Sequence, residues 1–346
     1  MSTRTALAGL CCLLSVVLGL VLANPGGTAV KKGGRTVIGL SLDTLKEERW
    51  QHDRDLIVQA AADLGAEVLV QAANSDDTRQ IQDVEALISR KVDALVIVPH
   101  NGQAMGKAVR LAHEAGIPVI AYDRLIPNAG VDLYVAFDAI EIGRAQARWL
   151  AARLPKGRAL KLVRIHGAKT DNNSHLVKQG QDEVLAPYFK SGALTTLHED
   201  WAENWKPENA KKIMNAALTK HGNALDAVLA ANDGTAGGAI QALLEEGLAG
   251  KVTVLGQDAE LSACQRIARG TQAMTIYKPL KLEAATAAAA AVKLARRQVV
   301  VARQETADPA GPVPSILMDV TAVDKSNLMD TVVKDGFHAK EAVFGK

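Results

Sequence analysis

More than 300 of the 346 residues remain after residue 23. That is more than one hydrophobic core usually serves, so two domains with a cleft between them are expected. The net charge is +2, from 40 Lys and Arg against 38 Asp and Glu, without a basic block beyond the N-terminus, which excludes a phosphate-tracking nucleic-acid surface. Aromatic residues make up only 3%, so each of the four Trp needs its own explanation.

Residues 1 to 23 read as an export signal peptide: Arg4 supplies the positive start, residues 6 to 22 are apolar, and Val21-Leu22-Ala23 is a small-residue cleavage pattern. An uncleaved anchor helix is the alternative, although the stretch falls just short of a bilayer span. A lipid-attached start is a weak reading, because Leu10 precedes Cys11 where a small residue is wanted. Only Cys264 lies beyond the signal, so no intrachain disulfide is available; this thiol reads as a buried small hydrophobe. Residues 24 to 34, with Gly26, Gly27, Gly33 and Gly34 around two lysines, read as a flexible leader.

From Arg35 onward, short runs of Val, Ile and Leu alternate with helical stretches, the pattern of βαβ units and parallel sheets. Strands are expected at 36–43, 66–73, 93–99, 118–123, 133–138, 158–166, 195–200, 226–232, 251–257 and 274–278. Helices are expected at 47–64, 77–90, 102–115, 139–153, 175–190, 207–220, 235–246 and 280–297. Gly65, Gly116 and Gly247 stand where helices end. Ten strands exceed one ordinary doubly wound sheet, so the expected fold class is α/β with two similar doubly wound parallel-sheet lobes. Residues 35–142 and 279–313 would form the N-terminal lobe, and 143–278 and 314–346 the C-terminal lobe, with a strand over 316–323 closing the latter.

Ligands of open parallel sheets bind beyond the carboxyl ends of the strands. Polar residues stand there: Asp43, Asn74, His100, Asn101, Asp123, Arg124, Asp138, His166, Asp200, Asn232, Asp233 and Asp258. Asp and Asn also cap helices, and that reading stays open for each. It is poorer for Tyr122-Asp123-Arg124, since Leu125-Ile126-Pro127 follows instead of a helix. A guanidinium fork and a carboxylate together suit vicinal hydroxyls, while a loop-locking ion pair is the structural alternative. Trp50, Trp201 and Trp205 sit among charged neighbours near strand ends, where a flat indole could cover a sugar's C–H face or merely a lobe surface. Trp149 lies in an apolar helix and reads as core. No dinucleotide fingerprint, Walker loop, zinc-protease motif or nucleophile elbow is present, and the His spacings suit no metal site. No cofactor is expected, and an enzyme reading lacks its machinery.

Several long stretches carry a specific resemblance. They include Glu48-Arg49-Trp50-Gln51 with Asp53-Arg54-Asp55, Ala121-Tyr122-Asp123-Arg124, Asp171-Asn172-Asn173, Trp205-x-Pro207-Glu208-Asn209-Ala210, Asn232-Asp233-x-Thr235-Ala236-Gly237-Gly238, Gly256-Gln257-Asp258-Ala259 and Met274-Thr275-x-Tyr277-Lys278-Pro279. Over nearly the whole length beyond the leader, the chain resembles the bacterial periplasmic sugar-binding proteins of ABC importers, in particular those for D-xylose. The resemblance implies two α/β lobes of the type I periplasmic-binding fold, joined by three hinge crossings and closing on a monosaccharide. It implies a sugar site of Arg49, Trp50, Asp123, Arg124, Asn173, Trp205, Asn232, Asp258 and Lys278, with Asp171 close by. It further implies a monomeric, periplasmic protein that hands its sugar to a membrane ABC permease. Glucose, ribose or arabinose as the sugar, or docking on a sensory receptor, are the alternatives. His100 stands where relatives carry Tyr, and residues 164–169 are more basic than the family's small-residue stretch.

Overall fold

The structure is a computed structural model that describes residues 34 to 345. The expected signal peptide and all but the last residue of the expected leader lie outside the described residues. In chain order the first elements are β1 (Thr36–Leu42), α1 (Glu48–Asp63), β2 (Ala66–Ala72), α2 (Asp77–Ser89), β3 (Ala94–Ile97), α3 (Gly102–Glu114), β4 (Val119–Tyr122) and β5 (Leu133–Phe137). There follow α4 (Ala139–Ala151), β6 (Leu160–His166), α5 (Asn172–Lys190), β7 (Leu194–Trp201), α6 (Pro207–His221), β8 (Ala227–Ala230), α7 (Asp233–Glu245), β9 (Thr253–Leu255), α8 (Leu261–Arg269) and β10 (Met274–Tyr277). The chain ends with α9 (Leu280–Ala295), β11 (Gln304–Thr306), β12 (Val313–Met318), β13 (Thr321–Asp324) and α10 (Lys340–Phe344).

The strands form two sheets, ordered β11-β12-β5-β4-β3-β1-β2 and β13-β10-β9-β8-β6-β7. Pairing is parallel except at the two edges, where β11 runs against β12 and β13 against β10. β3 and β4 are buried on both faces, which is why they read as unbroken apolar runs rather than alternating ones. Ile38, Leu40, Val96 and Ile120 face α1 and α9, whereas Leu95, Ile97, Val119 and Ala121 face α2 and α3. In the second sheet Leu162, Leu229 and Ile276 face α4 and α5, and Val163, Val228 and Val254 face α6 and α7. Each lobe is therefore a three-layer α/β unit with its own buried sheet.

Helix starts follow from capping chemistry. Asp76, Asn101, Asp138 and Asp171 accept backbone N–H bonds at the starts of α2, α3, α4 and α5, and Asn232 forms a reciprocal capping box with Thr235 at α7. α4 and α5 cross closely because glycines meet there. A Cβ on Gly143 would stand 2.0 Å from the Val177 carbonyl, and one on Gly180 2.0 Å from that of Ile140.

The chain passes between the sheets three times, after β5, β10 and β12. The strand expected over 316–323 is two strands, β12 beside β5 in the first sheet and β13 beside β10 in the second. Residues 314–318, expected in the C-terminal lobe, thus pair in the first sheet. One apolar run cannot say which of two open sheet edges it joins, and here it serves both. α8, α10 and β11 were not among the expected elements; they span only nine, five and three residues. Among the described residues, no helix is long and apolar enough to cross a membrane.

Candidate functional site

The carboxyl ends of the two sheets face each other, and the residues just past them enclose one cavity. Its volume is about 40 Å³, counted as the space open to the centres of water molecules. One water needs roughly 10–15 Å³ on that measure, so the space holds about three or four. All ten residues named from the sequence line it: Arg49, Trp50, Asp123 and Arg124 from the first lobe, and Asp171, Asn173, Trp205, Asn232, Asp258 and Lys278 from the second lobe and its exit. All but Asn173 and Trp205 are buried.

Buried charges require partners, and here they form two linked nets. Arg49 is held by Asp53 at 3.0 Å, Glu283 at 3.1 Å and Asp123 at 2.5 Å, and reaches across the cleft to Asp258 at 3.8 Å. Lys278 closes that net with a 2.6 Å ion pair to Asp258. Arg124 pairs with Asp43 at 2.8 Å, donates to the Pro99 carbonyl, and spans the cleft to Asp171 at 2.8 Å. Asn173 of the second lobe donates to the Asp123 carbonyl at 2.8 Å. Tyr122 donates to Asp53, and Tyr134 to the Asp123 carbonyl, so the first-lobe wall is buttressed from beneath. These cross-lobe bonds describe a closed cleft.

Burial works against the Arg49 guanidinium, yet Asp123, Asp53, Glu283 and Asp258 hold its pKa well above the usual value. Burial likewise raises Asp123, but Arg49, Lys278 and Arg124 outweigh it and hold this carboxyl below its ordinary value, so it is ionised. Burial, joined by the Asp123 charge, pushes Glu283 well above the carboxylate range and favours its protonated form. Burial also raises Asp171, against the pull of Arg124.

The aromatic walls are positioned differently. Both guanidiniums lie over the Trp50 ring, with Arg49 Cζ at 4.3 Å and Arg124 Cζ at 5.0 Å from its centroid. Trp205 follows Asn204 in a left-handed turn, with φ of 53° and 56°, and its indole N–H donates to Asp171. The ring closes over Gly167, where a Cβ would stand 2.2 Å from it. Trp201, grouped with Trp50 and Trp205 from sequence, does not line the cavity; it packs between His166 and His175, ring centroids 4.8 Å away on each side. Trp149 donates its N–H to Asp324 away from the cleft.

The cap and ligand readings of the strand-end residues are not exclusive. Asp171 and Asn232 cap helices and also line the cavity, the Asn232 Oδ1 serving the cap while its NH₂ is left unused by it. Asn101 and Asp138 cap helices without lining the cavity. Sequence reasoning missed Glu47, Phe137, Ile142, Val177 and Gln257 as lining residues, and Asp53 and Glu283 as supports. Gln257 was findable as a polar residue past β9. Phe137, Ile142 and Val177 look like any core residue.

With this geometry in view, the kinship of the chain is plain. A family model for the periplasmic binding protein domain matches residues 38–298. The chain is similar to the D-xylose-binding periplasmic protein of Haemophilus influenzae, 46% identical over 307 residues, 89% of this chain and 92% of that one. It is also similar to the D-xylose-binding periplasmic protein of Escherichia coli, 45% identical over 326 residues, 94% of this chain and 97% of that one. Among solved structures, a carbohydrate transporter solute-binding protein of Chloroflexus aurantiacus in complex with D-glucose superposes with a TM-score of 0.83 at 30% identity, covering 88% of this chain and 97% of that one. Fold, cleft and sequence agree, and the chain belongs to the periplasmic binding protein family.

Proposed function

We propose that this protein captures a single monosaccharide, D-xylose, between its lobes and delivers it to a membrane ABC permease. One observation carries the reading: ten polar and aromatic side chains from both lobes converge on one cavity. Asp123, Asp171 and Asp258 accept from sugar hydroxyls; Arg49, Arg124, Lys278, Asn173 and Asn232 donate to them; Trp50 and Trp205 cover the C–H faces. Hydrogen bonds to charged groups contribute about 1.5–3 kcal/mol each, so a few of them reach micromolar affinity, about −8 kcal/mol. Neither lobe alone supplies every partner, so the ligand favours closure by differential affinity. Selection of a pentose over a hexose rests, in this reading, on steric exclusion of the exocyclic CH₂OH, with an indole wall as the excluding surface.

The protein works as a monomer in the periplasm, exported by its N-terminal signal, and releases its ligand chemically unchanged without a cofactor. The relatives named above support this reading, since each is named as a binding protein. Calorimetric titration with D-xylose, D-ribose, D-glucose and L-arabinose tests it. D-Xylose should bind tightest; a preference for D-glucose overturns the choice of sugar, and no uptake of any of them overturns the function.

A further inference from the structure

Among the contacts between the lobes outside the cavity lining, one lies beside the Trp205 wall. His100 follows β3 in the first lobe, and its ring bridges two partners. Nδ1 lies 2.6 Å from Asp77 Oδ1 at the start of α2, and Nε2 lies 3.3 Å from Asn204 Oδ1 in the second lobe. The ring is held from its own side, because Asn101 also donates to Asp77 and the Gln80 side chain accepts from the His100 backbone N–H. Asn204 is the residue before Trp205, and both have left-handed φ angles. Such conformations are sparsely populated by residues that carry a side chain and persist where surroundings impose them.

We propose that His100 is a latch that sets the Trp205 wall of the pocket. By gripping Asn204 across the cleft, it makes the indole's final position depend on lobe closure. The indole itself is fixed at its N–H by Asp171, which Arg124 of the first lobe also holds. Both ends of the Trp205 turn are thereby tied to the opposite lobe, one through His100 and one through Arg124. His100 touches no ligand; it is a positioning residue for retention and for discrimination between a pentose and a bulkier hexose. This inference rests on the sugar-binding reading.

The test compares wild type, His100→Ala, Asn204→Ala, the double variant and His100→Gln by stopped-flow tryptophan fluorescence with D-xylose and with D-glucose. Loss of one hydrogen bond predicts a dissociation rate about 3- to 10-fold higher for D-xylose in each single variant, with association within about 2-fold. The double variant should be no worse than either single one, and His100→Gln, which keeps an N–H donor, should recover most of the loss. The preference for D-xylose over D-glucose should narrow alongside. Additive effects, or an unchanged dissociation rate, overturn the latch. Should wild type take up neither sugar, the sugar reading fails, and small-angle scattering of the unliganded proteins decides the latch alone. His100→Ala should then enlarge the radius of gyration, and no change overturns it.

Discussion

Asp258 holds a cavity position at φ 101°, a backbone region that side-chain-bearing residues avoid. It is kept there because its N–H bonds the Ile276 carbonyl at 2.8 Å and the next N–H bonds Thr275 Oγ1 at 3.1 Å. Strain kept at such a cost argues for a functional aim of the side chain. Replacing Asp258 by Ala should lower affinity for D-xylose at least about 10-fold in calorimetry, since it removes the partner of Lys278 and a cross-cleft partner of Arg49; unchanged affinity would mean that the pocket is misassigned. Gly167→Ala is a second test at this scale. The added methyl meets the Trp205 ring, so binding should fall about 10-fold or more while the circular-dichroism spectrum stays that of wild type. That the ten residues line the cavity was legible chiefly through the resemblance: Asp123, Arg124, Asn232 and Asp258 were also marked by their strand-end positions and Trp50 and Trp205 by their charged surroundings, whereas Arg49, Asp171, Asn173 and Lys278 carried no such mark. Trp201 shows the limit: a Trp among charges at the end of β7 reads the same whether it meets a ligand or two histidines.

At the scale of elements, the α4–α5 crossing and the start of α8 make separate predictions. Gly143→Ala drives a methyl against the Val177 carbonyl and should cost about 1–3 kcal/mol, read as a lower denaturant midpoint. At α8, burial and the charges of Asp233 and Asp258 push Glu260 up to about 8, well above its unfolded value. The folded state therefore holds this proton more tightly than the unfolded one. The contribution of this group to stability is full below about pH 4.5 and is lost as pH rises through about 8. The melting temperature should fall between pH 6 and 8.5, and Glu260→Gln should flatten that fall; an equally steep decline in the variant refutes the assignment. The long strands and helices were legible because buried parallel strands and amphipathic crossovers repeat over many residues. β12 and β13 were not separable, since their assignment depends on which edge lies nearby, a property of the assembled lobes.

For the whole molecule, closure is the quantity that matters. Saturating D-xylose should reduce the radius of gyration and sharpen thermal unfolding, as expected for a ligand that binds only the shut form. An identical scattering curve with and without sugar would contradict hinge closure. The two-lobe plan followed from length and strand number alone, whereas the position of the third crossing needed coordinates.

That third crossing bears on how the chain is made. The first half of the molecule lacks β12 until residue 318 has been synthesised, and the second lacks β13 until residue 324. A ribosome building this polypeptide from its amino end can complete neither sheet before residue 318 has been added. The lobes cannot reach their full strand complements one after the other as the chain emerges. A nascent chain kept incomplete for so long stays threadable, the condition for passing through a narrow translocation channel before its sheets lock.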